Sequence, residues 1–70
     1  MEDINNEDIN KLLDKITIAN VNKQISDGLQ SSFFMAEYIV GLDAWKSLSR
    51  DDQRILAARV HRIIRENRLL

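Results

Sequence analysis

The segment "SSFFMAEYIVGLDAWKSL", residues 31–48, constrains this chain more than any other, because it is apolar almost all the way round a helix. At about 100° of rotation per residue, Phe34, Tyr38, Leu42 and Trp45 line one side, and Met35 and Ile39 extend it. Phe33, Val40 and Ala44 lie nearly opposite. A helix that is hydrophobic on every side is a buried one. In a chain of 70 residues it is expected to be the central helix, wrapped by the others, and whatever they leave uncovered becomes an interface. Ser31 or Ser32 is the natural N-cap. Gly41, inside the pattern, marks a close helix crossing, a kink or an early end.

Upstream, the apolar periodicity changes phase. Ile9, Leu12, Leu13 and Ile16 share one helical face, with Glu7, Asp8, Lys11 and Lys15 away from it. Asn5 or Asn6 suits the N-cap, and the two acids suit the first turn. Ile18, Val21 and Ile25 form a second face, which a continuous helix would place roughly opposite the first. One straight helix cannot set both faces against one core, so a break is expected near Thr17, which can cap a second helix ending at Asp27-Gly28. The alternative, one long helix buried on both sides, is less economical without a partner chain.

The last periodic stretch, "RDDQRILAARVHRIIRENR", follows Ser49, an N-cap with Asp52 at the fourth position of a capping arrangement. Leu56, Val60, Ile63 and Ile64 form its core arc, with Asn67 in line. The expected architecture is therefore all-α, one small domain over residues 1–70. It is a bundle of three main helices with the N-terminal element broken near Thr17. That makes four short helices, at about 7–16, 18–27, 32–47 and 50–67. The absence of proline and the presence of only two glycines argue against a turn-rich β chain.

Charge is unevenly placed. Residues 1–43 hold eight acids against three lysines, a net of −5, and residues 44–70 hold seven bases against three acids, a net of +4. Within the last helix, Arg50, Arg54, His61, Arg65 and Arg68 fall inside roughly 60° of arc, and no acid shares it. Arg59 and Arg62 lie further round, with Glu66 one turn beyond Arg62. Such a stripe is the footprint expected for phosphate contacts. It is equally what a solvated face looks like, since cations favour a helix C-terminus and arginine stems cover apolar surface. The pI near 5.7 is low for a dedicated nucleic-acid module.

Several chemistries lack their residues. No cysteine is present, so neither a disulfide framework nor a thiolate metal site exists. His61, the single histidine, sits among arginines, with no serine or threonine beside it on the helix. No calcium-loop spacing and no glycine-rich phosphate loop occur. No catalytic residue, metal or cofactor is expected, and the chain reads as non-enzymatic. No stretch approaches the roughly 18 apolar residues of a membrane span. The start "MEDINNEDIN" is acidic and polar, unlike a targeting segment, so a cytoplasmic location is expected.

The function expected is a small adaptor, inhibitor or regulator that binds another protein, with a symmetric homodimer as one way to cover the central helix. The candidate apolar interface is Phe34, Tyr38 and Trp45, and for Trp45 a core role competes. The candidate charged contact is Arg54, His61, Arg65 and Arg68. A nucleic-acid-binding regulator using those four on phosphates is the second reading. Glu37, beside Phe33, Ala44 and Leu48, is expected to pair with an arginine of the last helix if it is enclosed.

Overall fold

The computed structural model describes the backbone of residues 4–70 and the side chains from Ile9 onward. Among these residues the chain is all-α, with no strand. The helices are α1 (Ile4–Lys15), α2 (Ile18–Ser26), α3 (Ser32–Val40), α4 (Leu42–Ser47) and α5 (Arg50–Asn67). They form an elongated body of 39 × 21 × 17 Å. α3 packs chiefly on α5, and α1 and α2 close over that pair.

The break near Thr17 forms where the phase change requires it. The Thr17 Oγ1 accepts the Asn20 N–H at 3.1 Å, and the Asn20 side-chain amide donates back to the Lys15 carbonyl at 2.6 Å. This reciprocal tie fixes the reversal, so that Ile16 and Val21, from opposite phases, both reach full burial. Ile9, Leu12, Leu13 and Ile25 pack against the same core. Ile18 does not: at the first position of α2 it stays 49% exposed. α1 also begins earlier than its polar residues suggested, so Asn5 and Asn6 lie inside the helix and not at its cap. The placing of the Glu7 and Asp8 side chains falls outside the described residues.

α2 and α5 end in related turns, each with a positive-φ residue followed by an N–H that reaches five residues back. At the α2 end, Leu29 N–H donates to the Gln24 carbonyl at 3.1 Å and Gly28 N–H to the Ile25 carbonyl at 2.9 Å, with Gly28 at φ 98°. At the α5 end, Leu69 N–H donates to the Ile64 carbonyl at 3.1 Å, with Arg68 at φ 51°. Each turn satisfies late helix carbonyls and returns a leucine, Leu29 or Leu69, to the core. Glycine takes this left-handed conformation freely, whereas arginine does so at a cost.

The segment over residues 32–47 is interrupted at Gly41. At φ 96° and ψ 144° this residue leaves helical geometry while its N–H still donates to the Glu37 carbonyl at 2.9 Å. Only glycine reaches that region readily, so of the readings open for Gly41 the structure adopts the break. α4 then starts in a new direction. Ser31, and not Ser32, caps α3, and Ser49 caps α5, each hydroxyl accepting an N–H three residues on. The core joins Met35, Ala36 and Val40 of α3 to Leu56, Val60, Ile63 and Ile64 of α5, with Ile16, Val21 and Trp45 filling the sides. No helix among the described residues is long and apolar enough to cross a membrane.

Candidate functional site

The outer face of α3 is apolar and open. Phe34 and Tyr38, one helical turn apart, remain 58% and 57% exposed, and Phe33 and Leu42 are also exposed. Neighbours at this spacing lie on one face, so Phe34 and Tyr38 form a pair of half-solvated aromatic rings. The expectation that surrounding helices would wrap this segment is therefore met on one side only, where Met35, Ala36 and Val40 are buried.

Trp45 leaves the group. A continuous helix would set it beside Phe34 and Tyr38, but the break at Gly41 turns α4 and carries the indole inward to 7% exposure. There it meets Phe33 edge to face, with centroids 5.4 Å apart and ring planes at 90°. This geometry suits the aromatic quadrupoles. The Gln53 side-chain amide donates to the Trp45 carbonyl at 2.9 Å, tying α4 to α5. Trp45 is a core residue.

The second face belongs to α5. Arg54, His61, Arg65 and Arg68 are all exposed, as is Arg50. The core residues of the same helix occupy the adjoining arc, with Ala57 and Ile64 at its border. Among the described residues the one ion pair is Arg62–Glu66, at 3.2 Å, one turn apart and well solvated. An exposed pair of this kind contributes at most roughly 0.5 kcal/mol. Glu37, half-buried on α3, forms no ion pair with an arginine of α5, so the pairing expected for it does not occur.

Two features of α5 were not read from its charges. Ile55 is 47% exposed, an apolar residue flanked one turn away by Asp51, Asp52, Ala58 and Arg59. Ala58, also exposed, lines a shallow cavity of about 410 Å³ together with His61, Arg62, Arg65 and Glu66. The signal for the cavity is in the spacing, since a small residue shares one patch of helix surface with long ones placed three, four and seven positions on. A larger groove of about 580 Å³ runs between α1 and the α4–α5 junction. Leu12, Ala44 and Leu48 contribute apolar lining to it, and Lys11, Lys15 and Asp52 contribute charge.

Chemically, both faces are suited to contact. Among the described residues no three histidine, aspartate or glutamate side chains gather closely enough to hold a metal ion. His61 shares its cavity with Ala58, arginines and Glu66, and no hydroxyl lines it. The structure thus defines a small all-α protein with one aromatic and one cationic outer face. No family model, curated protein or solved structure matches the chain.

Proposed function

We propose that the chain is a non-catalytic interaction module of the cytoplasm, an adaptor, inhibitor or regulator that works by covering a surface of another protein. The observation that carries this reading is the exposure of Phe34 and Tyr38 on a helix whose opposite side is fully packed. Neither ring is needed to close the core, and each still presents more than half its surface. Burying that remainder is worth roughly 1–2 kcal/mol per residue, and aromatics at the centre of a contact dominate its energy. Phe33, Phe34, Tyr38 and Leu42 carry no formal charge, and the half-buried Glu37 between Phe33 and Phe34 is the one charge on this part of α3.

Affinity capture with chemical cross-linking, from cells of the source organism, tests this. The wild-type chain is compared with a Phe34→Ser/Tyr38→Ser variant whose circular dichroism matches it. A partner held by the wild type and lost by the variant supports the reading. Equal recovery by both contradicts it. Homodimerisation through the same face is separated by sedimentation at high micromolar concentration, where a strictly monomeric chain excludes it.

Exposure of Arg54, His61 and Arg65 on a single arc favours a second reading, a nucleic-acid-binding regulator with these residues and Arg68 on phosphates. Titration into labelled duplex and single-stranded DNA and RNA tests it. Binding that falls steeply with salt and is lost in Arg54→Ala/Arg65→Ala supports it, whereas no binding at low salt removes it.

A further inference from the structure

Arg54, Ala58, His61, Arg65 and Arg68 follow one another at intervals of four, three, four and three residues. This is the spacing of the seam along which one helix packs on another in a coiled coil. The cavity on α5 has the matching form. Ala58, His61, Arg62 and Arg65 stand at positions i, i+3, i+4 and i+7, the four corners of a hole that receives one side chain from a facing helix. The Ala58 corner is a methyl group, and arginines outnumber the single carboxylate of Glu66 around the rest of the lining. Ile55, exposed beside Ala58 at the i, i−3 position, supplies an apolar shoulder.

We propose that the outer face of α5 docks an acidic helix of another protein, a carboxylate side chain of which enters the hole framed by Ala58, His61, Arg62 and Arg65. Charge complementarity selects this occupant. A second copy would bring arginine against arginine, which disfavours self-pairing along the seam. A nucleic-acid strand fits less well, because the arc carries no Phe, Tyr or Trp and only the single imidazole of His61 for bases to stack on. From Arg54 to Arg65 the face runs about 16 Å, three turns of helix, which a partner with acids at the same three-four spacing follows in register. Glu66 holds Arg62 at 3.2 Å, so His61 and Arg65 are the donors left to the incoming carboxylate. The site lies on a different helix from Phe34 and Tyr38, and it stands or falls independently of the aromatic face.

The test uses the whole chain and a synthetic helical peptide of about three heptads, with glutamate at the three-four positions and leucine beside them. A glutamine version of the peptide and an oligothymidylate serve as comparators, all followed by amide chemical shifts at low and physiological salt. The proposal expects shifts at Ala58, His61 and Arg65, binding at least tenfold weaker for the glutamine peptide, and weakening with salt. Arg65→Ala is expected to weaken the peptide at least tenfold, and Glu66→Gln, which releases Arg62, to strengthen it severalfold. Ala58→Leu is decisive because it keeps every charge and fills the hole at an exposed position. It is expected to cost the peptide at least tenfold and to leave oligothymidylate unaffected. The proposal is overturned if the peptide does not bind at low salt, or if its shifts fall on α3. It is also overturned if oligothymidylate binds as tightly as the peptide, or if Ala58→Leu binds like wild type.

Discussion

α3 and α5 make the main packing contact of the molecule, yet they turn opposite chemistries to solvent. Inside, the two are alike, each contributing aliphatic residues to one core. Outside, α3 presents Phe34 and Tyr38, and α5 presents Arg54, His61 and Arg65. The cationic face is at ease in water as it stands, since guanidinium groups are well hydrated and their stems cover the helix. The aromatic face is not. A folded chain this small gains nothing from leaving two aromatic rings half solvated, and it is this pair that the proposed partner would cover. The difference separates what stability requires from what it leaves unexplained. Arginines on α5 are compatible with mere solubility, whereas the rings on α3 are the part of the surface that the proposed contact explains.

If the inner sides carry the fold and the outer sides carry contacts, substitutions should sort by side. The largest loss is expected for Leu56→Ala or Met35→Ala, both fully buried where α3 and α5 meet the core. Each should cost roughly 2–5 kcal/mol of unfolding free energy in urea denaturation; a loss below about 1 kcal/mol would mean that the seam is not tightly packed. Next comes Gly41→Ala. No atom obstructs a methyl group there, so the cost arises from backbone geometry alone, at φ 96°. A loss of roughly 1–3 kcal/mol is expected, together with a change in Trp45 fluorescence, because this break is what carries the indole inward.

A smaller effect of opposite sign is expected at Arg68. Gly28 and Arg68 hold the same position in related turns, and only one of them is a glycine. Arg68→Gly should therefore raise the melting temperature, by an amount equivalent to up to about 1 kcal/mol; no gain would show that the arginine side chain returns the cost of its backbone through contacts of its own. The smallest effect is expected outside. Arg54→Ala/Arg65→Ala should leave stability within about 0.5 kcal/mol per substitution, and a greater loss in low-salt denaturation would reassign the cationic face to the fold.

How far the sequence could be read follows from where its pattern carries phase. Ile9 to Ile16 and Ile18 to Ile25 are sparse apolar series on polar backgrounds, so their opposite phases were visible and required the break at Thr17. Between Phe33 and Trp45 nearly every position is apolar, and such a segment fits a helix at any rotation. A change of direction at Gly41 leaves no trace in it, which is why Trp45 could be grouped with Phe34 and Tyr38. Asn5 and Asn6 resembled a cap because asparagine favours helix ends, but nothing local prevented the helix from starting at Ile4. On α5 the arginines were legible as a stripe. The cavity at Ala58 was less so, because attention to charge passes over an alanine, although alanine is what makes the depression.

α3 carries the face proposed to meet a partner. The direct measurement is site-specific photo-crosslinking in cells of the source organism, with a photoreactive amino acid placed at position 38 in one chain and at position 18 in another. Ile18 is comparably exposed and lies outside the aromatic pair. The expected result is a discrete adduct with a foreign polypeptide from position 38 and none of that mass from position 18. An adduct of the same mass and equal yield from both positions, or only a product of twice the chain's own mass from position 38, would contradict it.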